Sequence, residues 1–142
     1  MKTVQPNPKA FAELISGQVN DEPIVMVNLL KFKEEADYAS LGSSHKDSAL
    51  KLSGKKAYEL YGEHVVKMVE DVGGKVLLQA TARFTFIAPD DESWDEVVLV
   101  QYPSRAAFLQ MVTSGLYQKV IHHRDAALDD SRLVETQPTN VA

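Results

Sequence analysis

The 142-residue chain has no cysteine. This excludes disulfides, thiolate nucleophiles and cysteine-bound metals, and with them a small secreted scaffold held by bridges. A reducing cytoplasm is the expected compartment. Long apolar runs are missing too. The longest, Ile24 to Leu30, is broken by Asn28 and far too short to span a bilayer, and Met1 to Gln18 lacks the apolar stretch of a signal peptide. No membrane is expected as a partner. Positive charge is in deficit, with 15 basic against 20 acidic residues and a net charge of −5. The summed field repels phosphate backbones, so no nucleic acid is expected either. There is no GxSxG elbow, Walker loop, GxGxxG after a strand, or HExxH pair. No zinc spacing occurs, so no metal is expected, and nothing demands a cofactor.

What is present is an ordinary globular composition, 44% hydrophobic and 25% charged. A chain of this length buries about 68–70% of its unfolded surface around one core. The expectation is one α+β domain over 1–142, with an N-terminal helical arm (1–20) and a long surface loop (33–53).

Asn7-Pro8 reads as a helix cap and first position, with Phe11, Leu14 and Ile15 on one face and a stop at Gly17. Ile24–Phe32 is a strand apolar on both faces. Lys33 to Ser53 has no sustained period and reads as a surface excursion, of the kind that serves as a functional lid or mobile insertion. Lys55 to Val72 carries Tyr58, Tyr61, Val65, Met68, Val69 and Val72 on one helical stripe, ended by Gly73-Gly74. Lys75 to Ile87 alternates as a long strand with a turn at Ala88–Asp91, and Trp94 to Tyr102 is the next strand. After Pro103 a helix in two pieces follows, then a short closing edge strand, Arg132 to Glu135.

This order is βαββαβ, the split βαβ pattern of ferredoxin-like folds, with an antiparallel sheet. Helices cover one sheet face, yet Ile24–Phe32 is apolar on both. A second copy packed sheet against sheet, giving a homodimer, covers the other face. The alternative cover is the N-terminal arm.

Several polar residues stand where apolar ones fit better. Arg124 lies among Tyr117, Val120, Ile121 and Leu128 at helical spacing. A guanidinium there either binds a carboxylate or enolate in a pocket, or serves a structural ion pair or carbonyl cap. Asn28 interrupts its apolar strand and needs hydrogen bonds, from a cavity or from neighbouring backbone. Arg83 and Tyr102 lie at strand positions that face a rim. Tyr58, Tyr61 and Tyr117 frame an aromatic pocket or simply fill the core. His64 and His123 sit at the borders of their stripes, where an imidazole facing a cleft acts as acid or base near neutral pH. His122 and His123 point about 100° apart on a helix and cannot chelate one ion as an i, i+4 pair does.

Asn28-Leu29-Leu30-Lys31-Phe32, Ala57-Tyr58 through Tyr61-Gly62, Gly73-Gly74-Lys75, and above all Tyr102-Pro103-Ser104-Arg105-Ala106-Ala107-Phe108 leading to Tyr117-Gln118 and Arg124 resemble an uncharacterised, mostly bacterial family, domain of unknown function 1330. The resemblance covers most of Val25 to Val134. It implies the dimeric α/β-barrel superfamily and a cavity between sheet and helices. Related families on this fold include cofactor-free monooxygenases, lactone isomerases, polyketide cyclases and haem enzymes, so the fold does not choose a chemistry. Shorter members lack the N-terminal helix and the 33–53 excursion.

The expected function is binding of a small organic ligand, anionic or carbonyl-bearing, in a pocket lined by Asn28, Tyr61, Arg83 and Tyr102. His64, His123 and Arg124 are the catalytic candidates for cofactor-independent proton transfer or oxygenation. The rival expectation is a non-catalytic ligand-binding or structural dimer.

Overall fold

The computed structural model describes residues 1–17 and 21–139; the last three residues of the expected arm, 18–20, lie outside them. Asn7 caps helix α1 (Pro8–Ser16) by accepting from the Lys9 and Ala10 amides. Strand β1 (Ile24–Phe32) follows, then the segment 33–53, helix α2 (Gly54–Asp71), strands β2 (Lys75–Thr81) and β3 (Glu96–Tyr102), helices α3 (Arg105–Val112), α4 (Gly115–Gln118) and α5 (Ile121–Ala127), and strand β4 (Leu128–Thr136). The sheet order is β2-β3-β1-β4, with every pairing antiparallel. β1 and β2 therefore run parallel across the α2 crossover, and β3 and β4 across α3 to α5, which is the ferredoxin-like arrangement. No helix among the described residues is long and apolar enough to cross a membrane.

Four elements differ from the sequence expectation. β2 ends at Thr81, not Ile87, where its pairing with β3 stops at Thr81–Glu96, and a register slip between Val76 and Leu78 changes which side chains face the helices. Residues 82–95 are a loop, and Phe84, Phe86 and Ile87 stand 83–86% exposed on it. The helical run after Pro103 is in three pieces, as Ser114 caps α4 anew and the chain turns again at Lys119 and Val120. β4 is a full-length edge strand that starts directly at the end of α5, since Leu128 to Asp130 extend beside Phe32 and Lys31.

The 33–53 segment is tied to the rest of the fold at several points. The Lys33 and Asp37 amides donate to Ala127 and Ala126 carbonyls (2.8 and 2.9 Å), satisfying acceptors that the end of α5 leaves open. Tyr38 is buried at 1% exposure, and Leu41, Leu50 and Leu52 pack against the core. Ser53 caps α2. Gly54 follows because a Cβ there would stand 2.1 Å from the Lys33 carbonyl oxygen. Gly73, at φ +85°, ends α2 in the left-handed conformation.

The core lies between the helices and the sheet face bearing Ile24, Met26, Leu30, Val98 and Val100. Ala57, Ala126 and Ala127 are fully or nearly buried, and their small size lets α2 and α5 pack closely. On the opposite sheet face Val25, Val27 and Leu29 of β1 lie beside Val97 and Leu99 of β3, with Leu78 and Val134 on the flanking strands. All remain partly or well exposed. The arm does not cover them; it lies on the helix side of the sheet.

Candidate functional site

Between sheet and helices lies a cavity of about 790 Å³, within the ordinary range of small-molecule sites. Its floor includes Met26, Asn28, Val98 and Val100. The helices contribute Tyr58, Tyr61, Phe108, Tyr117 and Arg124, and residues 3–14 of the arm form its roof.

Arg124 comes from the face of α5 that also holds Ile121 and Asp125, an i, i+3, i+4 set that lines the cavity. The residue is 9% exposed. Its Nη1 donates to the Val4 carbonyl at 2.7 Å, and its Nη2 lies 3.4 Å from Ser131 Oγ. Both acceptors are neutral, and among the described residues no carboxylate is in salt-bridge contact with it. The arm that supplies the Val4 carbonyl is itself pinned to β4. The Thr3 amide donates to Asp130 Oδ1 at 2.9 Å, Thr3 Oγ1 donates to the Ser131 carbonyl at 2.6 Å, and Ser131 Oγ donates to the Thr3 carbonyl at 2.9 Å.

The tyrosines form the polar part of the wall. Tyr61 and Tyr117 share a hydroxyl–hydroxyl hydrogen bond of 2.8 Å, and the Tyr58 ring lies 5.3 Å from that of Tyr61. Burial raises the pKa of Tyr58, Tyr61, Tyr102 and Tyr117, so all four stay protonated. The nearby Arg124 charge opposes this for Tyr58, Tyr61 and Tyr117 without reversing it. Asn28 donates from Nδ2 to the Val98 carbonyl at 3.2 Å, a tie to neighbouring backbone, and also lines the cavity.

Four of the seven expected site residues, Asn28, Tyr61, Tyr102 and Arg124, thus meet at one cavity. Arg83 does not join them, because it lies in the exposed loop after the shortened β2. His64 and His123 meet each other instead, their rings 6.3 Å apart and nearly parallel, away from the cavity lining. His123 is buried, with Nδ1 2.8 Å from the Tyr38 hydroxyl. Burial, reinforced by neighbouring His122, pushes its pKa down to about 4. Sequence reasoning missed Asp125 and Gln79 in the wall. For Asp125 the signal was available, one residue from Arg124 and a full turn after Ile121; for Gln79 the slip in β2 hid it.

The model of the family described as Domain of unknown function (DUF1330) matches residues 48–137. The RPA0582 protein of unknown function from Rhodopseudomonas palustris, known from a crystal structure, is 32% identical, with a TM-score of 0.84 over 99% of this chain and 100% of its own. That match spans the arm and the 33–53 segment, which the family model leaves largely outside. The Arabidopsis thaliana protein At3g17210 is 12% identical, with a TM-score of 0.51 over 84% of this chain and 98% of its own, and shares the fold alone. No functionally curated protein matches the chain. On the family match over 48–137 and the full-length likeness to the Rhodopseudomonas palustris protein, this chain is a member of the DUF1330 family.

Proposed function

We propose that the cavity binds a small, partly apolar organic molecule bearing a carboxylate or an enolisable carbonyl, and that Arg124 supplies the matching positive charge. The observation that carries this is a buried guanidinium bounded by neutral acceptors, at the wall of a largely apolar cavity. A cation held out of water without a counter-ion is costly, and an anionic ligand offsets that cost. Of the hydrogen-bonded Tyr61–Tyr117 pair, the hydroxyl that accepts keeps its own proton available to donate to the ligand's oxygen.

With His64 and His123 outside the lining, proton transfer in the cavity falls to Asp125 and the tyrosines. The binding role is therefore the better supported, and turnover, where it occurs, is cofactor-independent stabilisation of an enolate-like anion. The open apolar sheet face supports a homodimer formed by a second copy of the chain.

The test is calorimetric titration with aromatic and aliphatic monocarboxylates, each paired with its primary amide. Each binding acid is expected to exceed its amide at least about tenfold, the effect of one charge-assisted hydrogen bond. Equal affinity for acids and amides removes the basis for the anionic reading.

A further inference from the structure

The chain has four histidines, and all four lie in one patch on the side of α5 turned away from the cavity. The His45 and His122 rings are 4.8 Å apart, His122 and His123 4.1 Å, and His123 stacks on His64. Asp47 stands among them. His122 Nε2 lies 2.8 Å from Asp47 Oδ2, and His123 Nε2 lies 3.9 Å from the same oxygen. One ligand atom each from His45, Asp47 and His122 falls within 4.8 Å of the others, and all three residues are half-buried.

We infer that His45, Asp47 and His122 form a binding site for one late first-row divalent cation of the zinc class, with His123 Nε2 placed to complete a tetrahedral set. Imidazole with one carboxylate suits zinc, cobalt, nickel or copper, whereas calcium and magnesium take oxygen ligands. Ligand atoms around tetrahedral zinc stand about 3.4 Å apart, from bond lengths near 2.0–2.2 Å. The Asp47–His122 pair is already inside that spacing, so closure requires roughly 1–1.5 Å of movement, which His45 on its irregular segment provides. The two near ligands on that segment are set by successive turns, His45 amide to Gly42 carbonyl and Ser48 amide to His45 carbonyl, both 3.1 Å. His45 Nδ1 accepts the Asp47 amide at 3.0 Å, a bond that ligation through Nδ1 replaces.

An outer support is also in place. With His123 in the tautomer whose Nδ1 donates to the Tyr38 hydroxyl, Nε2 turns its lone pair toward Asp47. Metal-bound histidines are commonly oriented in this way through their other ring nitrogen. The spacing rules that gave no metal site apply to ligands on one local element, and the expected separation of His122 and His123 is overturned, since their rings lie 4.1 Å apart with both Nε2 atoms toward Asp47. Here the ligands come from 33–53 and from α5, 75 residues apart at Asp47 and His122. Such an ion would fasten the 33–53 segment to α5.

The test uses tag-free protein, stripped with chelator, dialysed, and titrated with zinc by calorimetry and with cobalt by visible absorption. One ion per chain is expected, with the intense bands of tetrahedral cobalt and a Tm that rises with free zinc. Asp47→Asn, His122→Gln and His45→Gln are each expected to weaken zinc by at least about 10–100-fold, the range for loss of even a supporting residue. Circular dichroism checks that each variant is folded, and His45→Gln, on a partly exposed segment, leaves the helix packing intact. His64→Gln is expected to leave the affinity unchanged. Absence of saturable binding, unaltered affinity in the three ligand variants, or a loss in His64→Gln equal to that in His122→Gln overturns the assignment, leaving a hydrogen-bonded clasp without metal.

Discussion

Replacing Arg124 with methionine keeps most of the side-chain length and removes the guanidinium. The variant loses the 2.7 Å bond to the Val4 carbonyl; the 3.4 Å approach to Ser131 Oγ is too long to add much. A hydrogen bond from a charged donor contributes about 1.5–3 kcal/mol, and part of this is returned because no cation is then held out of water. A net destabilisation of about 1–2 kcal/mol is expected, or roughly 3–10 °C in Tm at this chain length. Binding of a carboxylate probe should fall further, about ten- to a hundredfold, because among the described residues Arg124 is the cavity-lining cation with no carboxylate contact of its own, whereas Arg132 already pairs with Asp130. Urea denaturation reads the first quantity and calorimetry the second. Arg124→Lys, which retains the charge without the planar fork, should lie between wild type and methionine in affinity. If the methionine variant loses stability yet binds carboxylates as well as wild type, Arg124 is a tie for the arm and the anionic site is wrong.

Three further outcomes are expected. Val27→Glu or Leu99→Asp, on the open sheet face, should convert a dimer to a monomer in sedimentation analysis; a wild-type chain that is monomeric at high micromolar concentration refutes the dimer. The depressed His123 pKa means that between about pH 6.5 and about 4 the unfolded chain binds the extra proton and the folded chain does not. This group's contribution is therefore fully present above that window and lost as pH falls through it, which urea midpoints measured across the range should show as a decline, absent in a folded His123→Gln variant. Tyr38→Ala, which empties a site at 1% exposure, should cost about 3–5 kcal/mol and open the 33–53 segment to proteolysis; an unchanged cleavage pattern would show the segment to be held by its backbone bonds alone.

Much of the fold was legible because local and global signals agree. The α2 stripe, the cap at Asn7, and the doubly apolar β1 each read correctly from the residues around them. The failures share a different cause. Phe84, Phe86 and Ile87 alternate as a strand would, yet no strand lies beside them, and pairing is not written in one segment's alternation. Leu128 to Asp130 look like a helix end but pair with the end of β1. Of the site, Arg124 and Asn28 were visible as polar residues on apolar faces. The His45–Asp47–His122 group was invisible, since it depends on where Tyr38 plugs an irregular segment against α5, and no period encodes that.

The roof over the cavity has a consequence for the order in which the molecule assembles. Thr3 bonds to residues 127 and 128 positions away, and Val4 to one 120 positions away. Contacts that close such long loops are rewarded only after the intervening chain is ordered. Thr3 and Val4 are thus among the last residues to find their places, after β4 has joined the sheet. Few apolar contacts hold α1, which buries no residue fully, so the same segment should be the first to open under native conditions, with amide exchange in residues 3–16 far faster than in β1. Entry to the cavity would then cost only the undocking of this arm, well below the energy of global unfolding.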